Sequence, residues 1–442
     1  MSKPICLVTA PVATRSGYGA HSRDICRALI KLDRYDVKIW SVRWGNTPMN
    51  ALNLDDPNDT MIIDRLLSEP NLPTQPELHI HIVIPTEFQP FAKYNIGITA
   101  GLENTACPAD WLQGLNKMNL NIVPSNFVKD VLSTVRFDIQ NDQTKQKEGV
   151  LKNEKPMEVL FEGVDTTIYK KTNKFSQALV DEMSQIDEEF SFLYVGHWLQ
   201  GRIGQDRKDT AMLVKVFCET FKNMKNKPSL IMKTSSATFS ILDREQILNK
   251  IKEIKLTIKG DLPNIYVLHG DFLDEEMNEL YNHPKVKAHV TFTHGEGFGR
   301  PLLEATISEK PVIASDWSGH VDFLDSKKAI LLKGSMMNVQ RGSFPDNFFI
   351  EGSQWFTVDY QNASQVLRKV YRSYKKYTGN AKKLAVQNKS KFSLDAMTRK
   401  FGEILDKYVP EFPKEVKLQL PKLKKVGEVE PKKIKLPKLK KV

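Results

Sequence analysis

The run His294–Leu324, HGEGFGRPLLEATISEKPVIASDWSGHVDFL, sets two carboxylates, Glu296 and Glu304, eight residues apart around a glycine turn. Gly295, Gly297 and Gly299 follow a β-branched stretch and precede Arg300–Ser308, which predicts a helix with Pro301 in its first turn. Glycines let a ligand approach the main chain, and a helix start offers free N–H groups and positive potential. The natural occupant of such a turn is an anion, and a diphosphate suits it well. Glu296 in the loop and Glu304 inside the helix project toward different parts of one bound molecule. Carboxylates accept from sugar hydroxyls, so the segment supplies acceptors for the sugars and donors for the phosphates of a sugar nucleotide.

Cations are concentrated in a second segment, YVGHWLQGRIGQDRKDT, Tyr194–Thr210, where His197, Arg202, Arg207 and Lys208 follow an apolar run. Fixed cationic donors stabilise the charge that a departing nucleoside diphosphate gains as its glycosidic bond breaks. His197, Arg202 and Arg207 all stand as candidates for that contact. A third loop, PVATRSGYGAHS, Pro11–Ser22, lies between the first apolar run and an amphipathic stretch. It is not a dinucleotide fingerprint, because Ser22 stands where a third glycine would follow Gly17 and Gly19. Glu103, in GITAGLENTACPADW, follows another apolar run and reads as an acceptor-side carboxylate or as an exposed loop residue. Ser125 and Asp165 read as caps. His79 and His81 alternate on one strand face with no third ligand spaced to complete a metal site, and read as packed or surface residues. His320 is a weaker ligand-contact candidate.

Short apolar runs alternating with amphipathic stretches must position these residues, and that alternation predicts parallel sheets with crossover helices. In the first series we expect strands at Ile5–Ala10, Asp36–Val42, Leu78–Ile84, Tyr94–Thr99, Leu120–Val123 and Met157–Phe161, with a helix at Ser125–Thr134 and a strand-poor insertion at Gln140–Lys155. A second series is expected at Phe190–Val195, Ser229–Lys233, Ile265–Leu268 and Ala288–Phe292, with helices at Ala211–Phe221 and Asp274–Tyr281. Two such series imply a cleft, with ligands at the carboxyl ends of strands. Met397, Phe401, Ile404, Leu405 and Tyr408 fall on one helix face, which by itself reads as ordinary core of the second domain.

Together these residues resemble the retaining GT-B glycosyltransferases of the large family 4 group. That group's E-x7-E motif commonly reads EGFG-P-x-x-EA and is followed by a PV(I/V)AS strand. Glu296, Gly297, Phe298, Gly299, Pro301, Glu304, Ala305 and Pro311–Ser315 match it. The resemblance covers most of residues 1–408 and is strongest in the second half. It implies a fold of two Rossmann-like domains facing a cleft: an acceptor-side domain at 1–170, a donor domain at 185–390 and a terminal helix at 393–408 crossing back to the first domain. It also implies that Glu296 contacts the transferred sugar, that amides near Phe298 and Gly299 bind the diphosphate, and that Glu304 binds the ribose. Lys208 takes the position of the family's lysine, while His197 replaces its usual arginine. Gly17, Tyr18 and Gly19 would face the donor across the cleft. Glu103 stands where many members carry a histidine. Retention of anomeric configuration and independence from metal or other cofactors follow from the same resemblance.

Composition narrows the alternatives. At 442 residues and 40% apolar content the chain exceeds one ordinary core. No window reaches the ~18 apolar residues of a membrane span, and the start lacks a basic, cleavable leader, so a cytoplasmic location is expected. Cys6, Cys26, Cys107 and Cys218 are scattered without metal or redox spacing. Of the net +11, residues 411–442 carry +7, and LPKLKKV occurs at 420–426 and again at 436–442. Prolines interrupt that tail, which reads as a flexible basic appendage able to bind nucleic acid or another polyanion. The expected activity is sugar transfer from a nucleoside-diphosphate sugar to a hydroxyl acceptor, a polyanion such as modified DNA among the candidates. A GT-B phosphorylase and a non-catalytic module binding sugar nucleotide or nucleic acid are the competing readings.

Overall fold

The β-branched runs are apolar on both faces, which only a parallel sheet covered by helices on each side can satisfy. In the computed structural model, which describes residues 3–141, 143–199, 201–236, 239–343 and 350–412, they form two such sheets. The first joins β1 (Ile5–Ala10), β2 (Asp36–Ser41), β3 (Leu78–Ile82), β4 (Tyr94–Ile98) and β5 (Leu120–Val123). A hairpin of β6 (Phe137–Gln140) and β7 (Lys147–Leu151) intervenes before the sheet's last strand, β8 (Met157–Val159). The strand order is β2-β1-β3-β4-β5-β8, parallel throughout. Helices α1 (Gly17–Leu32), α2 (Pro57–Ile63), α3 (Ala109–Lys117) and α4 (Asn126–Thr134) connect its strands.

After α5 (Gln177–Ser184), the second sheet contains β9 (Ser191–Val195), β10 (Ser229–Lys233), β11 (Ile265–Leu268), β12 (Val286–Val290), β13 (Val312–Ser315) and β14 (Ile330–Leu332). Its order is β11-β10-β9-β12-β13-β14, again parallel. The crossovers are α6 (Thr210–Phe221), α7 (Ile241–Leu256), α8 (Asp274–Asn282) and α9 (Arg300–Ile307). A ribbon of β15 (Gly334–Asn338) and β16 (Gln354–Val358) leads to α10 (Tyr360–Arg372), α11 (Lys375–Lys391) and α12 (Leu394–Tyr408).

Strand order reverses between β1 and β3 in the first sheet and between β9 and β12 in the second, and open α/β sheets bind ligands beyond the carboxyl ends of strands at such points. The loops after β1, β9 and β12 are the three motif-bearing segments.

Helix α12 returns to the first sheet. Met397, Phe401, Ile404 and Leu405 are buried in one core with Ile25, Ala28 and Leu29 of α1. The outgoing and returning segments pair where they cross: Val164 N–H donates to the Phe392 carbonyl at 2.9 Å, and Leu394 N–H to the Val164 carbonyl at 2.9 Å. A Cβ on Gly163 would lie 2.6 Å from Leu394 Cα, so only glycine permits this crossing.

Two expectations need correction. The Gln140–Lys155 region is not strand-poor, because β7 lies within it. This hairpin stands on the surface with most side chains exposed, so it lacks the apolar alternation that marks a half-buried strand. The fourth strand of the second series runs Val286–Val290 rather than Ala288–Phe292, since Thr293 N–H already turns back to the Thr291 hydroxyl at 3.2 Å.

All four cysteines are buried and free. His79 and His81 are buried too; desolvation pushes them down to about 3 and about 4, and His79 Nε2 lies 2.9 Å from the Thr9 hydroxyl. Among the described residues, no group of three or more His, Cys, Asp or Glu is arranged to hold a metal, and no helix is long and apolar enough to cross a membrane. Both LPKLKKV copies lie outside the described residues.

Candidate functional site

One cavity of about 810 Å³ lies between the two sheets and is lined by the loops after β1, β4, β9, β10 and β12. Its size falls in the upper part of the ~300–1,000 Å³ range of ligand pockets.

Four charged groups meet in it. Lys208 Nζ lies 2.6 Å from Glu296 Oε1 and 3.2 Å from Glu103 Oε1, and Arg207 Nη1 pairs with the same Glu103 oxygen. Their side chains are between 11% and 21% exposed, so these ion pairs are screened far less than surface ones. Burial opposes the charge on Glu103, yet Arg207 and Lys208 hold its carboxyl below the ordinary glutamate value. Its other oxygen, Oε2, is buried with no hydrogen-bond partner. Local capping aims the two cations: Asp206 accepts from Thr210 N–H at 2.7 Å at the start of α6, and His294 N–H reaches the Arg207 carbonyl at 3.3 Å.

The glycine turn is built by contact between the domains. A Cβ on Gly295 would stand 2.4 Å from the Glu103 carbonyl oxygen, and one on Gly297 2.1 Å from that of Ala100. These two glycines are therefore required where the first domain's backbone presses against the turn, a reason beyond the approach of a ligand. Ser125 Oγ donates to the Gly297 carbonyl at 2.6 Å and caps α4, so this residue both starts a helix and bridges the domains. Gly299, at φ 93°, is the left-handed residue that starts α9. Phe298 packs its ring in the core against Phe323, and the residue borders the cavity.

Glu304 is buried beneath the turn. Arg300 Nε lies 2.9 Å from its Oε1, Tyr281 OH donates to its Oε2 at 3.3 Å, and Arg300 Nη1 reaches Asp24 Oδ2 of α1 at 2.6 Å. Burial outweighs the attraction of Arg300 and raises the Glu304 carboxyl to about 7.

The structure separates the other candidates. His197 lines the cavity with Nδ1 3.1 Å from the Ser235 hydroxyl, and burial, reinforced by Arg207 and Lys233, lowers it to about 4. It is thus a neutral hydrogen-bonding group near pH 7. Arg202 is exposed and outside the cavity. Gly17 borders it, and a Cβ there would meet nothing within 4 Å. Gly19 does not; a Cβ there would strike the Thr14 carbonyl at 2.2 Å, so it serves the packing of α1. His320 is fully buried, with Nε2 2.7 Å from the Ser315 carbonyl, behind the glycine turn. Asp165 accepts from Thr167 N–H at 2.8 Å, a local cap.

Several cavity residues escaped the reading of the sequence. Glu162 is 8% exposed and raised to about 7 by burial, with Arg300 opposing and Asp24 adding to the shift. It adjoins the Gly163 crossing, and FEGVD offered no spacing to mark it. Lys233, at the end of β10, lines the cavity with Nζ 2.7 Å from the Gly270 carbonyl and 4.8 Å from the Phe272 ring centre. Trp44 and Trp111 complete the opposite wall.

No protein-family model matches the chain, and no curated protein matches it in sequence. Solved structures match across nearly its full length. Anabaena HepE in complex with UDP and glucose aligns with TM-score 0.58 at 12% identity, over 91% of this chain and 100% of that one. Sucrose-phosphate synthase from Thermosynechococcus elongatus aligns with TM-score 0.61 at 13% identity, over 92% and 98%. A glycosyltransferase from Rickettsia africae gives 0.58 at 15% identity, over 92% and 99%. With two parallel α/β domains facing one cavity, the chain has the GT-B fold.

Proposed function

We propose that this chain is a glycosyltransferase that moves a sugar from a nucleoside-diphosphate sugar to a hydroxyl acceptor with retention of configuration and without a metal or other cofactor. The observation that carries the reading is the half-buried cluster of Arg207, Lys208, Glu103 and Glu296 beside the glycine turn and the start of α9. Arg207, Lys208 and the amides near Phe298 and Gly299 bind the diphosphate and stabilise the charge that develops on it as the glycosidic bond breaks. Glu296 holds the transferred sugar and Glu304 the ribose. His197 acts as a neutral hydrogen-bonding partner of the donor, and Gly17 lets the first domain close over it. A UDP-sugar donor is favoured by the HepE complex with UDP and glucose.

On the acceptor side, Glu103 holds the attacking hydroxyl. Phosphate groups compete with it for Arg207 and Lys208, so donor binding releases a carboxylate toward the acceptor. The eleven lysines of residues 411–442 suit a polyanion such as modified DNA as the carrier of that hydroxyl. Nucleotide release from a panel of sugar nucleotides, with excess chelator and with the product anomer read by NMR, tests the proposal. Retained configuration in chelator supports it; an inverted product or strict metal dependence contradicts it.

A further inference from the structure

The two walls of the cavity differ in a way that bears on the acceptor, given the donor reading above. Among the lining residues of the first domain there is no Lys or Arg; the charged groups are Glu103 and Glu162. An anionic group at this end would meet Glu103 and Glu162, and the cations beside them, Arg207, Lys208 and Arg300, come from the second domain. Much of the remaining lining is aromatic or aliphatic, with Asn104 among it. Tyr18 and Trp44 stack with ring centres 3.9 Å apart at 24°, and Trp111, Leu102 and Ile84 border the same space.

The stacked pair is held in place before any ligand arrives. Tyr18 OH lies 2.9 Å from the Thr99 hydroxyl and accepts from Ala100 N–H at 3.1 Å, which fixes its ring at the end of β4. Trp44 sits on that ring from the loop after β2, where its carbonyl accepts from Thr47 N–H at 3.0 Å. Preorganised rings bind flat partners at little ordering cost. An acceptor without a ring would leave this aromatic surface without a stacking partner.

We infer that the acceptor presents its hydroxyl on an uncharged, flat, ring-bearing group that lies against the Tyr18–Trp44 platform with the hydroxyl toward Glu103. Such a group can arrive as a free aromatic alcohol or as a hydroxylated base within a nucleic acid strand, and the chemistry recognised at the platform is the same. Trp44 is then a specificity-determining residue of the acceptor.

The test is equilibrium binding to the full chain saturated with UDP, read by saturation-transfer NMR. The probes are benzyl alcohol, 5-hydroxymethyl-2′-deoxycytidine, a single-stranded tetranucleotide carrying that base, and methyl glucoside. The ring-bearing probes should bind at least about tenfold more tightly than methyl glucoside. Trp44→Ala should weaken them roughly 5- to 100-fold, the range expected for removing one ring from a stack, and Trp44→Phe should restore most of the loss. Tighter binding of the tetranucleotide than of the nucleoside assigns the group to a strand, and equal binding to a free alcohol. Methyl glucoside binding as well as the ring probes, or Trp44→Ala leaving their affinities unchanged, overturns the inference. Failure of UDP itself to bind defeats the donor reading instead; the ring probes are then titrated without UDP and judged by the same criteria.

Discussion

Across one cavity, the wall built by the second domain presents Arg207, Lys208, Lys233 and Arg300 around a glycine turn, whereas the wall built by the first domain presents Glu103, Glu162 and the rings of Tyr18, Trp44 and Trp111. The second wall can hold a diphosphate and stabilise charge that grows on it. The first can accept a proton-bearing hydroxyl and cover an apolar ring but presents no Lys or Arg to a phosphate. Contacts that cross the cleft, Arg207 to Glu103, Arg300 to Asp24 and Ser125 to Gly297, join the walls. Under the proposed function this contrast divides donor and acceptor chemistry between the domains, so substitutions on the two walls should fail in different ways.

The largest effect is expected at the charged cluster. Lys208→Ala and Glu296→Ala should each lower kcat by roughly 10²–10³, the cost of one preorganised group at a developing charge. Circular dichroism should show both variants folded. Loss of binding alone, with kcat intact, would break the assignment of transition-state stabilisation to this wall. Glu304→Ala should instead weaken nucleotide binding by about tenfold with a smaller change in kcat, measurable by calorimetry and steady-state kinetics.

Protonation of Glu162 and Glu304 gives a pH-dependent contrast. Both carboxyls are raised from the ordinary glutamate value to about 7 by burial, so between about 4.5 and 7 the native state holds protons that the unfolded state has lost. Their contribution is fully present below about 4.5 and is lost as pH rises through about 7. Glu162→Gln, which cannot ionise, should therefore gain stability relative to wild type, on the order of 2 kcal/mol, between pH 5 and pH 7.5. Urea denaturation at the two pH values checks it; a constant difference between the proteins would contradict the buried, neutral state.

A few-fold effect is expected from Glu103→Gln. Removing the carboxylate that competes for Arg207 and Lys208 should tighten nucleoside diphosphate binding while turnover falls, and weaker binding would show that Glu103 supports the donor wall. The smallest effect on this contrast should come from truncation after Pro410. Donor affinity should be unchanged, whereas DNA affinity should fall and its salt dependence flatten; equal affinities and slopes would remove the tail's proposed role.

The second domain's wall was legible in the sequence because its residues are local. The glycine turn, Glu296, the start of a helix and Glu304 follow one another within the eleven residues 294–304, and the cation pair lies in one loop. The first domain's wall is assembled from residues far apart in the chain, Tyr18, Trp44, Glu103, Trp111 and Glu162, and no spacing links them. Gly295 and Gly297 were recognised for a reason that proved incomplete, since the backbone they admit is that of Ala100 and Glu103. Gly19 stands outside the cavity, and a glycine needed for packing and one facing a ligand look alike in sequence. Arg202 and Arg207 likewise share one loop, and of the two only Arg207 lines the cavity. The α12 face was visible as a stripe, but which core it enters depends on the crossing at Gly163.

The division of labour between the walls is tested most directly by UDP affinity, measured calorimetrically in excess chelator for wild type, Lys208→Ala and Trp44→Ala. The account predicts binding to wild type without metal, at least tenfold weaker binding to Lys208→Ala, and affinity for Trp44→Ala within about twofold of wild type. Binding that requires metal, or that survives Lys208→Ala and is lost in Trp44→Ala, would contradict it.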